Sequence, residues 1–359
     1  MLSRTRLALL LAVALGLAAA GANAQPFDAY LRFNGGYPSN HAYISIPHAA
    51  ALNPTAAFTF EAWVRIVNST SGEDCRSIAG KNYLQAWWIG LCNVSGQPTL
   101  RSYLKGSGSL RNGGYIERDI WTHIAVVFTG TERRHYINGE LAATFAEAGP
   151  LGTSTSPVRL GSDVSWERTP DGRIDEVRFW NVARSQSQLR ASINKRLTTP
   201  QPGLIALWRL NSNGNDATGA YNGVLGGGGS TDFVVFPFGG GLCVSTGDAW
   251  CQQGRFLISP FFRTADAQGP VTGPAHVVGG AASSTVFWFF AADNWELMLK
   301  TINGCGLNSR KWVYFAATTD RFFRIDVWDT STGEQKIYFS YPGAPAPAVT
   351  DSDALAVCP

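Results

Sequence analysis

The segment Asp171-Gly172-Arg173-Ile174-Asp175-Glu176-Val177-Arg178-Phe179-Trp180, running on through Asn181 to Leu197, constrains the fold more than any other stretch of this chain. It joins a strand directly to a short capped helix. Ile174, Val177 and Phe179 are apolar and β-prone. Ser185 and Gln188 have the spacing of a capping box, in which each side chain satisfies a backbone N–H that the first helical turn leaves free. Leu189, Ile193 and Leu197 then recur at four-residue spacing along one helical face.

Upstream, the chain reads as strands separated by turns. Tyr30 to Gly36 and Ala42 to Pro47 are two short alternating runs around a turn. In Phe58 to Arg65, Phe58, Phe60, Ala62 and Val64 share one face, while Thr59, Glu61, Trp63 and Arg65 share the other. Trp63 is the odd member of that polar face. Alternation of this kind predicts a sandwich, each strand having one buried and one wetter side. Asn138-Gly139 supplies the positive φ values of a two-residue hairpin turn between His135-Tyr136-Ile137 and Glu140-Leu141. Gly203 to Leu210 is the last strand expected of this unit.

Four motifs occur in order: Phe33-Asn34-Gly35, Phe60-Glu61-Ala62-Trp63-Val64, Trp121-Thr122-His123-Ile124-Ala125-Val126 and Tyr136-Ile137-Asn138-Gly139. Val158-Arg159-Leu160-Gly161 then precedes Asp171 to Trp180. This ordered set, from Tyr30 to about Leu225, resembles the laminin-G-like jelly-roll family, the concanavalin A-like sandwiches that include pentraxins and secreted bacterial modules. The resemblance implies an all-β jelly roll whose role is recognition of a glycan or an extracellular protein. It also implies a position for calcium at the sandwich rim, at Asn34, where the family usually has aspartate, and at Asp175. Calcium takes hard oxygen ligands, so the amide at Asn34 lowers the ligand charge of such a site.

The expected organisation is a leader over 1–24, a laminin-G-like jelly roll over 25–225, a glycine-rich linker over 226–241, and a smaller β-sandwich over 242–359. The leader reading rests on Arg4 and Arg6, the apolar run Leu7 to Ala20, and the small residues Ala22-Asn23-Ala24. It places the mature protein outside the cytoplasm, secreted or periplasmic. The last unit shows six dense aromatic runs, among them Thr285 to Phe290, Lys311 to Phe315 and Phe322 to Trp328. At alternating positions such residues serve chiefly as core.

The six cysteines all follow the leader, and an even count in an oxidising compartment predicts disulfides. Locality within each unit favours Cys75 with Cys92, Cys243 with Cys251, and Cys305 with Cys358. A charged fraction of 15% and a formal net charge of +3, without a block of like charge, give no indication of nucleic acid. No segment after the leader is apolar for long enough to insert in a membrane.

Catalytic chemistry finds little support. Hydrolysis of a glycosidic bond needs two carboxylates flanking it, and no Glu-x-Asp-x-x-x-Glu or Glu-x-Asp-x-x-Glu strand occurs. Asp175 and Glu176 are adjacent on a strand and are expected on opposite faces. The five histidines are dispersed without metal-ligand spacing. His123 is expected to make a structural hydrogen bond. For sugar stacking, Trp88 of the Trp87-Trp88 pair and Trp166 in the polar loop Gly161 to Asp171 are the candidates. The expectation is therefore a non-catalytic binding protein, with a structural or adhesive surface protein as the alternative and a glycoside hydrolase behind both.

Overall fold

The computed structural model describes residues 29–36, 41–68, 74–105, 110–165, 167–227, 231–235, 242–263 and 273–358. The leader and Trp166 lie outside the described residues. Two β-sandwiches follow one another along the chain, each with its own core.

In the first, one sheet has the order Glu140–Ala146, Glu132–Ile137, Thr122–Phe128, Phe58–Asn68, Thr169–Trp180, Ala29–Gly36, Thr231–Val235, with Leu204–Trp208 also paired to Thr169–Trp180. The facing sheet has the order Val224–Gly227, Ala42–Ile46, Val158–Leu160, Cys75–Gly80, Trp87–Val94, Gln97–Leu104, Leu110–Tyr115. Phe33, Phe58, Phe60, Phe179, Ile44, Trp87 and Ile89 meet between them. The expected linker is different in the structure. Val224–Gly227 pairs with Ala42–Ile46, and Thr231–Val235 pairs with Ala29–Gly36, so the glycine-rich segment falls between two edge strands. Local composition reads as flexible there, but sheet edges with open backbone groups recruit it.

The segment Asp171 to Leu197 forms the strand and helix expected of it. Thr169–Trp180 is the longest strand, and Ser185 caps the helix Gln186–Ser192 with both bonds of the capping box. Leu189 and Ile193 are buried, whereas Leu197 lies beyond the helix and packs with Trp180 and Leu207. One expectation fails here. A bulge lies between Asp175 and Arg178, where Glu176 and Val177 oppose Ala62 alone, and Glu176 takes φ +45. Asp175 pairs with Trp63 and Arg178 with Glu61, while the Glu176 carboxylate meets Arg178. Asp175 and Glu176 thus share the outer face.

The second sandwich pairs a sheet of Trp250–Gln252, Phe256–Phe262, Phe323–Asp329 and Gln335–Ser340, with Gly273–Pro274 beside Phe256–Phe262, and a sheet of His276–Ala281, Ser284–Ala291, Asn294–Asn303, Lys311–Ala317 and Val349–Leu355. Phe256, Phe287, Phe289, Leu299, Phe315 and Phe323 fill the space between. His276–Ala281 and Val349–Leu355 escape a reading by propensity, since glycine and aspartate are poor strand formers. Ladder bonds and, near the C-terminus, the Cys305–Cys358 disulfide hold these strands in place. The other disulfides join Cys75 to Cys92 and Cys243 to Cys251.

The two sandwiches are packed together. Tyr30, Trp63 and Trp121 of the first and Ile337 and Phe339 of the second form a shared apolar cluster, in which the Trp63 and Phe339 rings stack 6.2 Å apart. Arg324 Nη1 donates to the Trp121 carbonyl at 2.6 Å, and the Tyr341 hydroxyl donates to the Asn138 carbonyl at 3.0 Å. Gly139, at φ +75, has the Tyr341 hydroxyl 2.6 Å from where a Cβ would stand. The Asn138-Gly139 turn therefore serves both as a hairpin and as a contact between the sandwiches.

Candidate functional site

The polar face of the central strand Phe58–Asn68 is buried, not wet. Glu61 Oε2 accepts from His123 Nε2 at 3.1 Å, and its other oxygen pairs with Arg184 Nη1 at 2.5 Å. Arg178 stands 3.8 Å away and is itself held by Glu176 at 3.2 Å, which in turn meets Arg209 at 3.0 Å. Burial by itself would raise the Glu61 carboxyl, but the hydrogen bond from His123 and the charges of Arg178 and Arg184 hold it down at about 2. Burial likewise pushes the His123 imidazole down, against the pull of Glu61, so it stays neutral and donates. These groups are sealed under the capped helix and the second sandwich. They form a structural network, as expected for His123, with Glu61, His123, Arg178 and Glu176 at its buried centre.

The residues picked out for ligand binding are not brought together. Trp88 is fully buried; its Nε1 donates to Ser77 Oγ at 2.7 Å, and Tyr83 closes over its edge. It cannot stack on a sugar. Alternation puts Trp87 and Trp88 on opposite faces, but it could not foresee the loop carrying Tyr83 that covers Trp88. Asn34 is exposed opposite Asp171, whereas Asp175 is buried and accepts from the Glu176 N–H at 2.9 Å. Four residues of strand, about 13 Å, separate the Asn34–Asp171 pair from Asp175. Among the described residues no three His, Cys, Asp or Glu side chains gather as a metal site, so the calcium position implied for Asn34 and Asp175 has no geometric counterpart.

What the first sandwich does present is an open groove lined by His48, Asn53, Gln85, Thr153, Ser154 and Thr155, with Ala50 the one apolar member. Its walls are cross-braced. Asn53 Nδ2 donates to the Ser154 carbonyl at 2.9 Å, and Asn53 Oδ1 accepts from the Ser154 N–H at 3.1 Å. Ser154 Oγ donates to Gln85 Oε1 at 3.0 Å, which leaves the Gln85 amide N–H groups free to point elsewhere. Behind His48, Lys81 is buried, with Nζ 2.8 Å from the Ser156 carbonyl and 3.1 Å from His48 Nδ1. An ammonium can only donate, so Nδ1 accepts and the His48 proton sits on Nε2. Burial pushes the Lys81 ammonium down to about 8.

The groove thus offers an imidazole N–H, amide groups and hydroxyls in fixed orientations. No Asp or Glu is among its lining residues. Sequence reasoning missed it because its members come from three segments spread over about a hundred residues, none carrying a motif. The one available signal was Thr153-Ser154-Thr155-Ser156, an uncharged hydroxyl run in a chain of otherwise alternating strands.

Residues 38–190 match the model of the concanavalin A-like lectin/glucanase superfamily of laminin-G type. That match covers less than half of the chain and lies within the first sandwich. Comparison with curated protein sequences finds no match. Among solved structures, the chain is similar to a proposed carbohydrate-binding protein from Bacteroides ovatus, at 21% identity over 58% of this chain and 60% of that one, with a TM-score of 0.47. The match spans less than two thirds of that protein's length. It is also similar to domains LG4-5 of the mouse laminin α1 chain, at 10% identity over 92% and 82%, with a TM-score of 0.36. A third is the carbohydrate-binding module of a Ruminococcus gnavus sialidase bound to α2,3-sialyllactose, at 14% identity over 44% and 94%, with a TM-score of 0.34. The laminin-G-like domain supports a role in binding glycans or proteins. It places the groove, between His48 and Thr155, within the matched residues.

Proposed function

We infer that this is an exported binding protein whose laminin-G-like domain recognises a neutral glycan in the groove between His48 and Thr155, without turnover. The observation that carries the reading is the chemistry of the lining: uncharged donors and acceptors, pre-oriented by the Asn53–Ser154 and Lys81–His48 bonds, suit a ligand rich in hydroxyls. A groove with no carboxylate lacks both the acid and the base or nucleophile of glycoside hydrolysis. Three disulfides favour an oxidising compartment, and no helix among the described residues is long and apolar enough to cross a membrane.

The test is calorimetric titration of the purified chain with tetrasaccharides prepared from xylan, arabinan, galactan and mixed-linkage glucan. At least one should bind, and His48→Ala and Gln85→Ala should each weaken it roughly five- to tenfold, the worth of one hydrogen bond of about 1–1.4 kcal/mol. Both side chains are exposed, and Lys81 keeps its bond to the Ser156 carbonyl when His48 is replaced; a melting curve of each variant checks that the fold is intact. Binding indifferent to both substitutions, or shortening of the oligosaccharide on incubation, would sink the reading.

A further inference from the structure

Among the described residues, one sheet face of the second sandwich is left without a covering element, and that face is aromatic. In the sheet His276–Ala281, Ser284–Ala291, Asn294–Asn303, Lys311–Ala317, Val349–Leu355, burial alternates strictly along Ser284–Phe289, with Thr285, Phe287 and Phe289 inward. The opposite register carries Trp288, Met298, Lys300, Trp312 and Tyr314 toward solvent. The ladder sets them in rows: His276 beside Trp288 beside Trp295, Val286 beside Met298 beside Ala316, Lys300 beside Tyr314, and Ile302 beside Trp312. Trp295 is 58% and Met298 52% exposed, which is unusual for side chains of this size.

The rings are held rather than loose. Trp288 lies 4.2 Å from the His276 ring, whose Nδ1 is 2.7 Å from Asp248 Oδ1. Trp312 Nε1 donates to Asn308 Oδ1 at 2.9 Å, and its ring runs within 13° of parallel to Tyr314. It rests on Gly304, where a Cβ would come 2.1 Å from Nε1, so this position must stay bare for the ring to lie there. Lys300 Nζ stands over the Tyr314 ring, 5.9 Å from its centroid.

We propose that this face is a second glycan-binding surface, which takes an extended polysaccharide chain laid across the Trp288 and Trp312 rows. Shape selects the occupant. The rings stand on a sheet face rather than around a cavity, and six residues of strand, about 20 Å, separate the Trp288 row from the Trp312 row. A monosaccharide cannot touch both, but a polymer can. Chemistry selects it too: fixed ring faces meet the apolar C–H faces of sugar rings, while Lys300 and His276 supply donors for hydroxyls between them. The proposal rests on the reading that the protein binds glycans but uses a surface on the other sandwich, so one chain would hold a polymer at two points and gain avidity.

Affinity electrophoresis of the intact chain through gels cast with xylan, arabinan, galactomannan or hydroxyethylcellulose tests it. At least one polymer should retard the protein, and Trp312→Ala or Trp288→Ala should weaken that retardation at least about tenfold, as loss of a central aromatic contact does. Trp312→Phe should recover part of it. Retardation that survives both alanine changes and disappears in His48→Ala or Gln85→Ala would overturn this proposal and leave the groove as the site. Loss with Trp312→Ala alone, with tetrasaccharide titration flat, would keep the face and remove the groove. Failure of every polymer to retard the chain overturns it. So does sedimentation showing a dimer that Trp312→Ala dissociates, because the occupant would then be a second copy.

Discussion

Trp63 and Trp312 occupy equivalent places in their sandwiches, each on the outward register of a strand whose other register is core, and the structure treats them in opposite ways. Over Trp63 lie the second sandwich's Phe339 and Ile337, and beside it Glu61, His123, Arg178 and Arg184 are sealed from water. Trp312 is half-buried, and among the described residues its ring is held by Tyr314, Asn308 and Gly304 rather than by the other sandwich. An aromatic residue in the polar register is therefore ambiguous by itself. A covering element makes it a packing residue, and an exposed ring that is nonetheless held in place is a contact awaiting a ligand.

The largest effects should come from breaking the covered side. Glu61→Ala leaves Arg178, Arg184 and His123 buried without their common partner, and should cost about 3–5 kcal/mol in chemical denaturation. A loss under 1 kcal/mol would mean that water enters this network and that the face is not sealed.

Acid should act on the same network. The Glu61 carboxyl is held at about 2 against an ordinary value of 4.5, so its contribution, about 3 kcal/mol, is complete above pH 4.5 and is lost as pH falls through 2. His123, pushed down by burial, and His135, pushed down to about 3 by burial and by Arg133, are neutral in the fold but charged in the unfolded chain below 6.5. Folded states that bind fewer protons lose stability as pH drops, so the melting temperature should begin to fall below pH 6.5 and fall further below 4.5. A melting temperature unchanged between pH 7 and pH 4 would contradict the burial of these histidines.

The smallest effect belongs to the open side and completes the contrast. Trp312→Ala should change unfolding free energy by no more than about 0.5–1 kcal/mol, whereas Trp63→Ala, at a fully buried ring, should cost about 3 kcal/mol or more. Equal losses would show that Trp312 is a packing residue and that the uncovered face has no separate purpose.

Much of the architecture was legible in the chain. The alternation in Phe58 to Arg65, the Asn138-Gly139 turn, the Ser185–Gln188 capping box and the order of the family motifs each encode a local preference that the fold satisfies. The six aromatic runs of the second unit all became strands, because aromatic and β-branched residues at period two have few other ways to bury their area. Legibility stopped at whatever depends on a distant partner. Trp88 is covered by Tyr83, Asp175 and Glu176 share a face through a bulge, and the segment around Gly226 is drawn into two sheet edges. The groove at His48, Asn53, Gln85 and Thr155 was not legible at all, since no local rule links residues from separate loops.

The sequence by itself determined the all-β class of fold and, in unbulged strands such as Phe58 to Arg65, which residues face the core, since these follow from side-chain period, turn chemistry and capping, all of which act over a few residues. Tertiary structure alone decided which outer sheet face is covered and which is left open, and so which tryptophans pack and which can meet a ligand. That choice is made by contacts such as Trp63 with Phe339 and Asn138 with Tyr341, between residues some two hundred or more positions apart, whose free energy no local pattern contains.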